Sequence, residues 1–405
     1  MNKLTLEDIT ALEARHVVQT YKRQPVAFVR GSGSRLYDVD GREYLDLVSG
    51  IGVTSLGHAH PGLAAAIAEQ VSTLLHTSNL YYHPLQGQVA ARLTKLSGLP
   101  RVFFANSGAE AVEGCLKFAR RYWYTQGVKT RTAFVAIENA FGGRTMGALS
   151  VTWDEHYRAP FQPLLGPVTF VASGDIAALE AAVTDRTAAV IAEPIQGEGG
   201  IRPLSREFAQ AITDVCRRTG TLYIADEVQT GLGRTGFPFY FPVLGLEPDL
   251  VSVGKALGSG VPVGAILMSE RVAQAISPGD HGTTYGGNLL ACRAALFFLE
   301  QLMDHGVLEH VNAVGSVFER RLRTLALKHP VITEVRGVGL MRGLQLAIDA
   351  TPIVDSAREH GLLVNRTNEK VVRMLPPLTI QAADLDRAVD ILDAVFAAVE
   401  AEVHA

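Results

Sequence analysis

Two apolar runs end on residues that could do chemistry together. The stretch Leu222-Tyr-Ile-Ala-Asp226 is hydrophobic until it closes on a carboxylate, with Glu227 directly after it. A buried strand that stops this way delivers its acid to the C-terminal edge of an open α/β sheet, where such sheets place their ligands. A second short run, 250–253, closes on Gly254-Lys255. An amine and an acid at neighbouring strand ends meet the needs of pyridoxal 5'-phosphate (PLP): the amine forms a Schiff base with its aldehyde, and the acid keeps its ring nitrogen protonated. At an effective dielectric near 20, a carboxylate–pyridinium contact at about 4 Å is worth on the order of 4 kcal/mol.

A third segment points to a phosphate. Arg101-Val-Phe-Phe-Ala-Asn106 reads as a strand, and Ser107-Gly-Ala-Glu110 opens a helix that runs to about residue 126. A helix start offers free N–H groups and the positive end of the helix dipole, and Gly108 permits close approach. The same residues make an ordinary serine N-cap with Glu110 as its capping-box partner, and the motif alone supports both readings equally. His58 and His60 have no nearby Cys, Asp or third His to complete a metal set, so they read as turn-stabilising residues, and no metal is expected. Two further matches fail on context. Gly231-Leu-Gly233-Arg-Thr-Gly236 fits G-x-G-x-x-G, but Phe237-Pro-Phe-Tyr-Phe-Pro242 cannot begin the helix that a dinucleotide site needs. Gly254-Lys255 is not the end of a P-loop, since Asp249 and Ala256 replace its glycine and its hydroxyl residue.

The elements that must position these groups alternate. Strands are expected at 133–138, 168–172, 188–193, 221–226, 250–253 and 263–268, with helices at 175–183 and 205–219 between them. That βαβ rhythm predicts a mostly parallel sheet flanked by helices. An Ala- and Leu-rich helix, 289–304, leaves this region. Before it lie an amphipathic helix over 5–21, a pair of short strands over 28–47 turning at Asp40-Gly41, and a helix with Leu63, Ile67, Val71 and Leu74 on one face. After it come strands at 331–347, 361–366 and 371–375 and a closing helix, 382–400, with Leu385, Val389, Leu392 and Phe396 inward. The expected organisation is a large domain, 61–304, with a smaller α+β lobe built from 1–60 and 305–405.

Composition agrees with a large enzyme. A chain of 405 residues with 47% hydrophobic and 19% charged side chains has ample material for a core. A net charge of −4 without a basic stripe argues against nucleic acid. Cys115, Cys216 and Cys292 are odd in number, widely spaced and set in apolar helical patterns, which reads as reduced core cysteine. The first residues carry charges where a signal peptide would be apolar, and no stretch reaches membrane-spanning length, so a cytoplasmic protein without a membrane partner is expected.

Taken together, Ser107-Gly-Ala-Glu, Phe141-Gly-Gly-Arg144-Thr, Glu193-Pro-Ile-Gln-Gly-Glu198-Gly, Asp226-Glu-Val-Gln229-Thr-Gly, Lys255 and Gly282-Thr-Thr284-Tyr-Gly-Gly-Asn resemble the signature of the class III (ornithine-type) aminotransferases. The resemblance covers nearly the whole chain. His76-Thr-Ser-Asn79-Leu-Tyr-Tyr and Leu375-Pro-Pro-Leu378 point to its acylornithine-using branch. It implies PLP fold type I, with the δ-amino group of N2-acetylornithine passed to 2-oxoglutarate in arginine biosynthesis. The products would be N-acetylglutamate 5-semialdehyde and glutamate.

The resemblance also implies roles. Lys255 would bind the cofactor and shuttle the proton, with Asp226 on the ring nitrogen, Gln229 on the ring hydroxyl, and Phe141 and Val228 on the two ring faces. Ser107, Gly108 and Ala109 would hold the phosphate, joined by Thr284 from the partner subunit of a homodimer. Arg144 and Arg373 would read substrate carboxylates, since a guanidinium fork suits them, and Glu198 would neutralise Arg373 in one half-reaction and swing off it in the other. Asn79 and Ile51 are the remaining substrate candidates. Ile51 stands where ornithine-using relatives carry a Tyr, and an apolar residue there suits an acylated substrate. Gly142, Thr54 and Gly52 depart from the commoner His, Asn and Ala, so the chemistry is more firmly marked than the substrate. The other readings are a second ω-aminotransferase specificity (succinylornithine, 4-aminobutyrate or an acylated lysine precursor), an aminomutase of the same fold, and a PLP-free nucleotide-binding regulator. Dependence on 2-oxoglutarate separates the aminomutase, and a yellow preparation separates the regulator.

Overall fold

The computed structural model describes residues 4–403, and the strand ends singled out above converge on one seven-stranded sheet. Its strands in chain order are β1 (Arg101–Ala105), β2 (Ala133–Ile137), β3 (Val168–Val171), β4 (Thr187–Ala192), β5 (Leu222–Asp226), β6 (Leu250–Val253) and β7 (Gly264–Met268). They lie side by side as β1-β7-β6-β5-β4-β2-β3. All pairings are parallel except those of β7, which runs against β6 and β1. Every residue of β4, β5 and β6 is buried. Strands covered on both faces read as unbroken apolar runs instead of alternating ones, which is why these were legible as short hydrophobic stretches.

Helices supply the two covers. Helix Gly108–Thr125 buries Val112, Cys115, Leu116 and Phe118 in the cluster that holds Leu222, Ile224, Leu250 and Ile266. Helix Arg206–Thr219 buries Phe208, Ile212 and Val215 in the cluster that holds Tyr223, Ala225 and Val251. Alternate residues of β5 thus face opposite helices, and each large side chain buried there contributes about 1.5–3 kcal/mol. Helix 206–219 starts on Ser205, whose Oγ accepts the Phe208 N–H at 3.1 Å, and stops at Gly220. Gly220 has φ 72°, a left-handed end that glycine adopts without the Cβ penalty.

Two four-stranded sheets accompany the large one, besides a two-stranded pair of Ile195–Gln196 with Arg202–Pro203. Strands Phe28–Ser32, Arg35–Asp38 and Glu43–Asp46 are joined by Leu362–Leu363, which pairs parallel to the third of them, Leu362 beside Leu45. Strands Ile332–Val338, Met341–Leu346, Asn365–Thr367 and Val371–Met374 form the other. The closing helix Ala382–Val403 buries Leu385, Val389, Leu392 and Phe396, as its period predicts. Cys115, Cys216 and Cys292 are buried and unpaired, and burial pushes the Cys216 and Cys292 thiols up to about 12. Among the described residues no helix is long and apolar enough to cross a membrane.

Several local expectations change. The first helix spans only Leu6–His16 and buries no residue, so its period had no core behind it. Residues 28–47 make three strands: besides the turn at Asp40-Gly41, a second reversal falls at Gly33, with φ 56°. Val71 and Leu74 remain about half exposed, because helix Pro61–Thr73 buries only Leu63 and Ala66. Helices Pro84–Ser97, Val307–Lys328 and Thr351–Glu359 lie outside the elements the pattern marked. In the second of these Gly315 interrupts the helical propensity. Packing requires it, since a Cβ there would lie 3.0 Å from the Gly339 backbone.

The two histidines read as turn residues take structural partners. His58 Nε2 lies 2.7 Å from Asp46 Oδ2, and His60 caps helix 61–73 by accepting the Leu63 N–H at 3.3 Å.

One buried histidine makes stability depend on pH. His329 lies 2.8 Å from Glu400 through Nδ1 and 2.8 Å from Asp393 through Nε2. Burial disfavours the charged ring, but the two carboxylates outweigh it and hold the pKa above the ordinary 6.5. A raised folded pKa means that the stabilisation is complete below the unfolded value and is lost as pH rises through the folded one. Thermal melts from pH 6 upward should show this decline in the wild type and not in His329→Gln. The variant should cost about 2 kcal/mol at the acid end, the range for charge-assisted hydrogen bonds. Parallel curves for the two proteins would contradict the assignment.

Candidate active site

Adjacent strand ends bring the acid and the amine together. In the parallel register of β5 and β6, Asp226 stands beside Ser252, whose Oγ donates to Asp226 Oδ1 at 2.9 Å while the Val228 N–H donates to the same oxygen at 3.1 Å. Burial raises the pKa of Asp226, and these donors and Lys255 oppose the rise. Lys255 opens a 3-10 turn, Lys255–Gly258, with φ 37°. A non-glycine residue held in that region costs on the order of 1–3 kcal/mol and is concentrated at functional sites. Burial lowers the ammonium pKa against the pull of Glu198 and Asp226, which favours the neutral, nucleophilic amine.

The start of helix 108–125 faces the same space. Ser107 is its N-cap: its Oγ accepts the Glu110 N–H at 3.1 Å. Glu110 bonds one residue further back than a capping box requires, taking the Asn106 N–H and side-chain amide at 2.9 Å each. First-turn N–H groups at Gly108 and Ala109 belong to the donors a helix leaves without an internal partner. Gly108 has to be bare, because a Cβ there would lie 2.6 Å from Val228 Cγ1. Gly254 is equally constrained, with a Cβ that would fall 2.9 Å from Gly108 Cα. Gly108, Ala109, Phe141, Asp226, Val228, Gln229 and Lys255 line one cleft of about 200 Å³.

A wider chamber of about 470 Å³ shares Phe141, Arg144 and Glu198 with this cleft. The exposed Arg144 guanidinium lies 3.7 Å over the Tyr157 ring and 5.5 Å from the Phe141 ring centre. Arg373, only 1% exposed, donates through Nη1 to Glu198 Oε1 at 2.5 Å and to Gln229 Oε1 at 3.3 Å, and through Nε to Asn365 at 3.2 Å. Burial works against ionisation of Glu198, but Arg373 outweighs it and holds the carboxyl below its ordinary range. The departure at Gly142 has a steric cause: a Cβ there would lie 2.6 Å from the Ala148 carbonyl oxygen and 2.6 Å from Val151.

Three of the predicted residues lie apart from that cleft in the single chain. Ile51, at φ 64° in the turn Ser49–Gly52, is 41% exposed and lines neither space. Asn79 donates to the carbonyls of Thr283 and Gly286 at 3.1 and 2.9 Å, and so braces the loop that carries the exposed Thr284.

Sequence reasoning missed several residues. Glu193, just past the end of β4, is buried and accepts the N–H of Phe141 at 3.0 Å and of Gly197 at 2.9 Å, tying the loop of Phe141 to the loop of Glu198. Burial first, and then the Asp226 charge, push it up to about 8. Glu227 takes the Thr230 hydroxyl at 2.5 Å and the N–H groups of Tyr240 and Phe241 at 2.6 Å, with burial raising it to about 7. Thr367 donates to the Glu198 carbonyl at 2.5 Å. The signal for Glu193 was available, since it too ends an apolar strand; Thr367 carried none.

These residues fit PLP. The first-turn N–H groups suit a phosphate, the cleft lined by Phe141 and Val228 suits a flat ring, and Asp226 and Lys255 suit its nitrogen and its aldehyde. A mostly parallel sheet with this donor set defines a PLP-dependent enzyme. The chain belongs to the class III aminotransferases: it matches the family Aminotransferase class-III over residues 17–396. It is 44% identical to the acetylornithine aminotransferase of Methanothermobacter thermautotrophicus over 95% of this chain and 97% of that protein. Its structure superposes on the ornithine aminotransferase of Toxoplasma gondii with a TM-score of 0.94 at 34% identity, covering 99% of this chain and 97% of that one. An amine transaminase from an uncultivated Pseudomonas species, in its PLP-bound form, gives a TM-score of 0.87 at 32% identity over 94% and 96%.

Proposed function

We propose that the protein moves the δ-amino group of N2-acetylornithine to 2-oxoglutarate, giving N-acetylglutamate 5-semialdehyde and glutamate, as a cytoplasmic step of arginine biosynthesis. The observation that carries this reading is the ion pair of the buried Arg373 with the part-exposed Glu198 beside Lys255, with the exposed Arg144 on the same cleft. An amino donor with its amine at the chain end needs one distal carboxylate reader, and an α-amino acid needs a second one close to the reacting carbon. Arg144 would serve the first. Arg373 would serve the second once Glu198 moves away.

When bound, PLP supplies the aldehyde that carries the amino group and the ring that draws electrons from the bond to be broken. Lys255 would hold it and move a proton at the substrate carbon bearing nitrogen. Asp226 would keep the proton on the ring nitrogen, Gln229 would bond the ring hydroxyl, and Phe141 and Val228 would hold the ring faces. The N–H groups of Gly108 and Ala109, with Ser107, would hold the phosphate. Glu193 would fix the backbone of Phe141 while staying neutral near physiological pH.

The site would be completed in a homodimer, with Thr284 donating to the phosphate bound by the partner subunit. Leu80, Tyr81, Tyr82 and Tyr285 stand exposed beside the loop that Asn79 braces, which supports a covered surface there. Sedimentation at assay concentration should show a dimer, and a fully active monomer would contradict it. The division of the chain into a large domain, 61–304, and a lobe from 1–60 and 305–405 belongs to the same reading, supported by the pairing of Leu362 with Leu45.

The test is a substrate panel with 2-oxoglutarate. Acetylornithine should exceed ornithine in kcat/KM by on the order of 10²–10³-fold, provided the proposed dimer covers the 41%-exposed Ile51, because the free α-ammonium would then be desolvated beside it with no polar partner, at a cost of several kcal/mol. Similar values for the two donors would refute the acylated substrate and leave a broad ω-aminotransferase.

A further inference from the structure

At the far end of helix 108–125 four cations gather around a cleft of about 400 Å³, within the size range of small-ligand pockets. The helix is 18 residues long, so about 27 Å separates this end from the Gly108 cup. The cleft adjoins Thr132, just before β2 begins, whereas the catalytic groups sit at the opposite, C-terminal strand ends. Arg120, Arg121, Lys129 and Arg131 line it together with Tyr124, and no carboxylate does.

Two of the guanidiniums are fixed in place before anything binds. Arg120 donates to the Thr132 carbonyl through Nε and Nη2, at 3.0 and 2.7 Å, and to the Gly166 carbonyl at 2.9 Å. Arg131 donates to the Thr219 carbonyl at 3.0 Å and to Thr221 Oγ1 at 3.2 Å, and lies 4.2 Å from the Trp123 ring. Tyr124 is flanked by Arg121 at 5.5 Å and Lys129 at 5.1 Å. Asp280, on Arg121 Nε at 2.7 Å, is the one carboxylate that any of the four touches among the described residues. Burial alone acts on Arg120, lowering its pKa with no acid to offset it.

Cations at a helix C-terminus are ordinarily explained by the helix dipole, which is worth only a few tenths to 1 kcal/mol at a surface. That explains one or two such residues and not four around a concave space with a single acid. A multiply charged anion would supply the missing counter-charges and would take charge-assisted bonds from guanidiniums that lose little entropy on binding. We propose that this cleft binds a small polyanion, an oligophosphate or a tricarboxylate, separately from the catalytic site.

The test uses PLP-loaded enzyme at low salt, so that the catalytic phosphate cup is already filled. Pyrophosphate and citrate are titrated by calorimetry into wild type, into Lys129→Glu, and into Lys95→Glu, which makes the same charge change on an exposed residue elsewhere. Saturable binding of either probe at millimolar concentration or below is expected, weakened about tenfold or more by Lys129→Glu and not by Lys95→Glu, since one charge-assisted contact is lost and one repulsion gained. Pyrophosphate alone binding would assign an oligophosphate, and citrate binding as well would assign polyanions in general. No saturation, or equal affinity in wild type and Lys129→Glu, overturns the proposal, because an anion held by Arg144 or Arg373 is indifferent to residue 129.

Discussion

Lys255→Ala should lower kcat by at least about 10⁴-fold, the upper range for loss of a positioned acid–base group, with the covalent hold on the cofactor lost besides. The fold should survive. Residue 255 lines the cleft and belongs to neither apolar core cluster, and alanine in its left-handed turn bears the same backbone strain that lysine already bears. The electrostatic response provides a second readout. Lys255 is the cation that opposes the burial-driven rise of Asp226 and Glu193, so removing it should raise both pKa values further and weaken retention of cofactor. Borohydride treatment of the wild type should fix the cofactor to a peptide containing Lys255. A variant that turns over at the wild-type rate, or a label on a different lysine, would remove this residue from the chemistry.

The next largest effect concerns the ion pair of Arg373 with Glu198. Glu198→Ala leaves the Arg373 guanidinium, 1% exposed, with only the amide oxygens of Gln229 and Asn365. Breaking a fully buried pair by removing one partner costs about 3–5 kcal/mol, but the Glu198 side chain is 37% exposed and water screens part of that loss, so the melting temperature should fall by less than the full figure implies. At the same time Arg373 becomes permanently available, and discrimination should shift from the acylated ω-amine towards α-amino substrates. Arg373→Lys tests the other partner. An ammonium is a point charge and cannot imitate a guanidinium fork, so the KM for glutamate should rise by about 10–100-fold, the equivalent of 1.5–3 kcal/mol for a charge-assisted contact. The KM for acetylornithine, whose carboxylate would be read by Arg144, should change far less. Equal losses in both half-reactions would mean that Arg373 is a structural residue and that Glu198 does not act as a switch.

How much of this was legible without coordinates follows from the range over which each feature is encoded. Asp226 and Lys255 stand out because the abrupt end of a fully apolar run is a property of contiguous residues, and burial on both faces imposes such runs on β4, β5 and β6. The helix behind Ser107 and the closing helix were legible for the same reason: caps and a sustained period are local. Where packing was absent, a local period misled, as with Leu6–His16, which buries nothing. The choice between N-cap and phosphate site at Ser107 could not be made locally, since the hydroxyl that caps the helix is directly followed by Gly108 and Ala109, which line the cleft. The pairing of Arg373 with Glu198, 175 residues away, was implied by the family resemblance and by no local pattern, and its geometry comes from the tertiary structure. Only it drove Glu193 up to about 8 by burial beside Asp226, set Leu362 against Leu45, and gathered Arg120 and Arg131 around one cleft. Those features depend on register between strands and on burial by distant segments, and a side chain's partner and the dielectric around it are decided by what folds over it, whatever its neighbours in the chain.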